Sequence, residues 1–186
     1  MKKRVSLFID VQNIYYTTRH VHGCSFDYNT FWAQATANRN VIHAYAYATE
    51  RGDEKQKQFQ NILRAIGFQV KLKPYIQRSD GSSKGDWDVG ITLDVIEAAA
   101  DTDIVVLGSG DGDFDQLLKR VHLRYPHVET EVYGVPGLTA HALINSATRY
   151  IPIEGSLLLN PKPKLSNEGV EKPESDHPIQ TSQSFF

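Results

Sequence analysis

The sequence predicts an α/β fold with a mainly parallel central sheet. Three observations carry that expectation. Strand-like runs and helix-like patterns alternate from the amino terminus to about residue 153. Two of the runs, "RVSLFI" at 4–9 and "DIVVLG" at 103–108, are apolar on both faces, as strands covered by helices on both sides must be. Each then gives way abruptly to acidic residues: the first to Asp10, the second to "SGDGDF".

The first strand, 4–9, is built from Val5, Leu7, Phe8 and Ile9. A helix is expected from about Asn13 to His20, and another from about Asn29 to Ala37. "NVIHAYAYAT" at 40–49 is rich in β-branched and aromatic residues and predicts the second strand. The clearest helix is 53–67, where Phe59, Ile62, Leu63 and Ile66 recur at i, i+3, i+4 and i+7. Asp53 and Glu54 suit its first turn, and Gly67 can close it. "FQVKLKPYI" at 68–76 alternates as a strand, with Lys71 and Lys73 on one face and Val70 and Leu72 on the other. A polar loop at 77–86 leads into a helix at 87–100, whose Val89, Leu93, Ile96 and Ala100 define one side. A fourth strand (103–108), a helix (113–124), a fifth strand (128–135), a short helix (138–146) and an edge strand (149–153) complete a domain over residues 1–154. From Gly155 onward the chain is rich in Pro, Ser, Lys and Glu, so residues 155–186 are expected to be a disordered tail.

The chain of 186 residues is long enough for one domain with a real core. Its formal net charge of -2 excludes binding to nucleic acid or membrane through an overall positive field. Any nucleic-acid contact must come from a local basic patch. A single cysteine, Cys24, excludes an intramolecular disulfide and fits a reducing compartment. The apolar run of "MKKRVSLFID" is too short for a signal peptide or a spanning helix, so no membrane partner and a cytoplasmic location are expected.

In open parallel sheets, ligands bind beyond the carboxyl ends of the strands, where the strand order reverses. Asp10 ends the first strand, and Asp111 and Asp113 follow the fourth. In the common doubly wound orders those two strands are neighbours at the reversal. Asp88 opens the helix that feeds the fourth strand. Carboxylates gathered in one crevice repel, and stay ionised only with a cation between them. Oxygen-only donors suit Mg²⁺ or Mn²⁺, ions that commonly act on phosphates. Gly108, Gly110 and Gly112 are expected to let the backbone turn and a phosphate approach. Helix capping by Asp111 or Asp113, and a solvated strand end for Asp10, are the simpler readings of the same residues. A calcium loop is excluded, because Gln116 and His122 stand where that loop needs glycine and a bidentate glutamate.

Three segments, "LFIDVQNIY" (7–15), "KGDWDVGITLD" (84–94) and "VLGSGDGDF" (106–114), resemble the signature segments of the NYN family, in its LabA-like branch within the PIN-like nuclease superfamily. The resemblance implies a PIN-like (flavodoxin-like) three-layer sandwich. It implies Mg²⁺ or Mn²⁺ held by Asp10, Asp88, Asp111 and Asp113, and hydrolysis of RNA, with single-stranded RNA as the expected substrate. Asn13 matches the asparagine that follows the family's first-strand aspartate and joins the catalytic set. Asp94 matches a recurring acidic position, but helical spacing places it about 120° around the axis from Asp88, which favours a structural role. PIN-like domains often pair, so a homodimer accords with the resemblance. The competing class is a non-catalytic regulatory module that binds RNA, a nucleotide or a protein partner through the same cleft.

Lys73, Arg78 and Lys84 are candidates for contacts to an RNA backbone, and Lys84 also for a role at the scissile phosphate, although a solvated face explains them as well. Tyr75 and Trp87 could stack on bases, with core packing the expectation for Trp87. Tyr15 and Tyr16 lie beside Asn13 and suit either cleft or core. His20, His22 and Cys24 have a ligand-like spacing, but no second ligand pair accompanies them. A phospho-receiver domain needs an aspartate after its third strand, where "FQVKLKPYI" ends without one. Haloacid-type phosphatases need Asp-x-Asp after the first strand, which here reads Asp10-Val11-Gln12.

Overall fold

Val5, Leu7, Phe8 and Ile9 have no solvent-exposed surface. Their strand, β1 (Arg4–Asp10), pairs in parallel along both edges and carries an apolar cluster on each face. The computed structural model of the chain describes residues 1–74, 76–77, 83–84 and 86–159. After β1 come α1 (Val11–His22), β2 (Ser25–Phe26), α2 (Tyr28–Ala35), β3 (Asn40–Glu50), α3 (Glu54–Ile66) and β4 (Gln69–Pro74). Two short strands, β5 (Ile76–Gln77) and β6 (Ser83–Lys84), pair antiparallel, β5 spanning the end of the expected strand 68–76 and the start of the expected polar loop. Then follow α4 (Asp88–Ala98), β7 (Ile104–Gly108), α5 (Phe114–Arg124), β8 (Glu129–Gly134), α6 (His141–Ser146) and β9 (Arg149–Pro152).

The main sheet has six strands in the order β4-β3-β1-β7-β8-β9, all parallel. The chain builds outward from β1 to β4, then crosses back and builds the other half from β7. The order therefore reverses between β1 and β7. Helices α1, α2 and α3 pack Ile14, Phe31 and Leu63 on one face, and α4, α5 and α6 pack Ile91, Leu118 and Leu143 on the other. This is the expected α/β sandwich. A helix that precedes a parallel strand runs antiparallel to it, so α4 starts at the carboxyl end of β7. That geometry puts Asp88 on the same side of the sheet as Asp10 and Asp111.

Helix α4 turns a face to the core other than the one its spacing predicted. Ile91, Val95 and Ala98 are buried, whereas Val89 and Leu93 point outward. The helix carries apolar residues nearly all round, so periodicity could not choose a side.

The fold also continues past residue 154. Gly155–Leu157 form a 3₁₀ turn, and β10 (Leu158–Leu159) pairs antiparallel with β2. Leu157 is buried, and its carbonyl accepts from the Asp27 N–H at 2.8 Å. Three consecutive leucines supply the apolar surface that the Pro-rich segment beyond them lacks. Truncation after residue 159 is expected to leave the melting temperature nearly unchanged. Truncation after residue 154 should lower it by roughly 5 °C, since burying one leucine is worth about 1.5–3 kcal/mol and each kcal/mol moves a domain of this size by about 2–4 °C. Thermal melts of both truncations check this, and equal melting temperatures would show that the β2–β10 pairing adds nothing.

Candidate metal and nucleic-acid site

Asp10 is the last residue of β1 and also caps α1, its Oδ1 accepting the Asn13 N–H at 3.1 Å. Its other oxygen accepts from the Ser109 hydroxyl at 3.5 Å. The Asn13 side-chain carbonyl accepts the Gly110 N–H at 2.9 Å, which ties α1 to the loop after β7. Ser109 is fully buried, and its Oγ accepts the Asp111 N–H at 3.2 Å. Sequence reasoning passed over Ser109, although it lies inside the quoted "VLGSGDGDF"; its place between Asp10 and Asp111 arises only in the folded chain.

Asp111 uses Oδ1 to accept the Asp113 N–H at 2.9 Å, a local turn that starts α5. Asp113 makes no capping bond with its side chain. Capping thus accounts for one oxygen of Asp111 and for none of Asp113. Asp88, Asp111 and Asp113 each offer an oxygen within 4.8 Å of the others. Asp10 lies outside that tight group, near enough to Asp88 and Asp111 to feel their charge. Burial pushes the Asp10 carboxyl up to about 6, with repulsion from Asp88 and Asp111 adding to it and the bonds from Asn13 and Ser109 opposing it. Burial also raises Asp88 to about 6, and the charges of Asp111, Asp86 and Asp113 contribute further.

The donor set fits a hard divalent ion. Oxygens bound at about 2.1 Å in an octahedral shell stand roughly 3–4 Å apart, so small rotations would close the observed spacing on Mg²⁺ or Mn²⁺. All donors are carboxylate oxygens, as such ions prefer.

The glycines act differently from expectation. Gly108, Gly110 and Gly112 are absent from the positive-φ positions. A Cβ on Gly110 would meet the Leu138 carbonyl oxygen at 2.5 Å, and one on Gly112 would meet the Ala140 Cβ at 2.9 Å. These residues are small so that the acidic loop can press against the segment between β8 and α6, where Ala140 N–H donates to the Gly110 carbonyl.

The model of the NYN domain family matches residues 4–154. The chain belongs to the NYN family. It is LabA-like: it is 29% identical over 163 residues to the low amplitude and bright protein LabA of Synechococcus elongatus, covering 81% of this chain and 83% of that protein. A crystal structure of a protein of unknown function from Vibrio parahaemolyticus is 53% identical, with a TM-score of 0.81 over 85% of this chain and 97% of that one. NYN domains are PIN-like, and PIN-like nucleases use divalent metals. Among the described residues of this NYN domain, no helix is long and apolar enough to cross a membrane.

The remaining candidates separate. Lys73 donates to the Asp86 carbonyl at 3.0 Å and lies 4.4 Å from the centre of the Trp87 ring, so it braces the entry to α4. Arg78, Tyr75 and the side chain of Lys84 lie outside the described residues. Trp87 packs against the core and donates its indole N–H to the Ala48 carbonyl at 2.9 Å. Asp94 is structural: it accepts from the Tyr47 hydroxyl at 2.7 Å and pairs with Lys71 at 2.6 Å. Tyr15 and Tyr16 are exposed. His22 contacts the Ile153 carbonyl and Cys24 is buried, and among the described residues neither joins a metal-binding group. A hollow of about 710 Å³ opens at the opposite end of the sheet, but there Glu131 is occupied by both Arg39 and Arg149.

Proposed function

We propose that this NYN domain is a metal-dependent ribonuclease that hydrolyses single-stranded RNA. The observation that carries the reading is the group of Asp88, Asp111 and Asp113 at the sheet's reversal point, brought together from two helix starts. These three, with Asp10 beside them, would hold Mg²⁺ or Mn²⁺. When bound, the ion supplies charge neutralisation and Lewis acidity toward a phosphodiester. Asp10 is half-buried beside them, and the Asn13 N–H and Ser109 hydroxyl fix the orientation of its carboxylate toward the ion. The Asn13 amide holds the acidic loop through Gly110 without adding charge. Lys73, and with it Arg78 and Lys84, would guide the RNA backbone past the start of α4, with Lys84 at the scissile phosphate.

End-labelled single-stranded RNA incubated with the protein and Mn²⁺ is the direct test, with chelator as the control. Cleavage in Mn²⁺ and none in chelator is the expected result. RNA that binds beside the metal and stays intact would overturn hydrolysis in favour of a regulatory module. Replacing Lys73, Arg78 and Lys84 together with Ala should also weaken RNA binding. Its salt dependence should flatten by roughly 0.7 in log–log slope for each phosphate the protein no longer neutralises.

A further inference from the structure

Helix α4 has two apolar faces, and only one is used. Ile91, Val95 and Ala98 enter the core, while Val89 and Leu93 stand 69% and 65% exposed on the outer side. Ile96 continues this outer stripe and borders a groove of about 400 Å³ between α4 and α5, closed on the far side by Leu123, itself 76% exposed. Exposed apolar residues grouped beside an apolar groove ordinarily mark a contact surface. A single exposed apolar side chain, such as Ile62 on α3, calls for no partner.

The charges around this stripe divide by helix. The outer side of α4 carries Glu97, and the outer side of α5 carries Arg120; both are exposed. Among the described residues, neither has an ion-pair partner within the chain. A surface with an apolar centre, an acidic flank and a basic flank is complementary to itself under a two-fold rotation.

We infer that the outer face of α4 and the α4–α5 groove form a homodimer interface, with Leu93 of each copy seated in the groove of the other and Glu97 set against the partner's Arg120. Val89 immediately follows Asp88. The interface therefore borders the carboxylate site, and pairing places the two sites of the dimer along one seam. Such pairing is independent of whether the site cleaves RNA.

Sedimentation velocity of the full chain over a wide concentration range tests it. The expected result is a dimer of twice the 20.9 kDa chain mass. Leu93→Glu should raise the dimer dissociation constant roughly 30-fold or more, the loss typical of a central anchor, with an unchanged circular dichroism spectrum. Glu97→Arg should weaken the dimer, and adding Arg120→Glu to it should restore much of the loss. A chain monomeric at every concentration would overturn the interface, as would a dimer indifferent to both Leu93→Glu and the charge exchange. A full chain that is monomeric while the chain ending at residue 159 dimerises would assign the face to the chain's own carboxyl-terminal segment, and would also overturn it.

Discussion

Asp111→Asn is expected to lower single-turnover RNA cleavage by on the order of 10² or more, the loss typical of removing one preorganised electrostatic group. It should also weaken Mn²⁺ binding, while leaving folding intact or improved. The asparagine keeps a carbonyl oxygen to accept the Asp113 N–H, so the turn that starts α5 survives. What is lost is one charge of the three that lie within 4.8 Å, together with the repulsion it exerts on Asp88 and Asp10. Activity and stability therefore move in opposite directions, which a merely structural residue would not produce. Asp115→Asn is the control: Asp115 pairs with Lys119 on the surface of α5 and should alter neither cleavage nor metal affinity. Isothermal titration with Mn²⁺ and single-turnover kinetics on both variants decide the matter. Unchanged Mn²⁺ affinity in Asp111→Asn would remove the cluster as the metal site.

The sheet was legible in the sequence because its central strands are buried on both faces and read as unbroken apolar runs, as at 4–9 and 103–108. The reversal point followed from the order of the elements. That Asp88, Asp111 and Asp113 would lie together was legible for a related reason: each stands at a strand end or a helix start beside the reversal. Their distances were not. Whether Asp10 or Asp113 stands closer to Asp88 depends on the turn made by Asp111 and Asp113, which no spacing rule gives. The glycines show the same limit from another side. Their size matters because the Leu138 carbonyl and Ala140 lie against them, and those neighbours are about thirty residues away in the chain. Helix α4 was misread in orientation because its apolar residues satisfy two faces at once, and the face the spacing favoured is the one the monomer leaves outside. The short β10 was hidden because the leucines at its start adjoin a segment whose composition is that of a tail.

Metal-free protein is expected to lose stability as pH rises from about 4 to about 7, and excess Mn²⁺ should reverse that loss. In the folded chain, Asp10 and Asp88 are each raised from 3.8 to about 6, chiefly by burial. Between those values the folded state binds more protons than the unfolded state, so stability falls with rising pH. The contribution is full below about pH 4 and is lost once pH has risen through about 6. For Asp10 the loss is about 3 kcal/mol, since each pKa unit corresponds to about 1.4 kcal/mol. Asp103 acts in the opposite sense. Arg4 holds it down at about 2, so its contribution is present above the ordinary aspartate range and fades as pH falls toward 2. Stability of the metal-free chain should therefore peak near pH 4–5. An ion that binds the ionised carboxylates stabilises only the folded state, by about 2.7 kcal/mol at a hundredfold excess over its dissociation constant. Its effect should be large near pH 7.5 and small near pH 5, where protons compete for the same oxygens. Asp10→Asn isolates the group: it should flatten the decline between pH 4 and 7 and raise the metal-free melting temperature at neutral pH. Thermal melts of chelator-treated wild type and variant, with and without Mn²⁺ across pH 4–8, measure all of these. Metal-free stability that rises from pH 5 to pH 7.5 in wild type and variant alike would show that the carboxylates ionise without mutual cost, and would remove the physical reason for a shared cation.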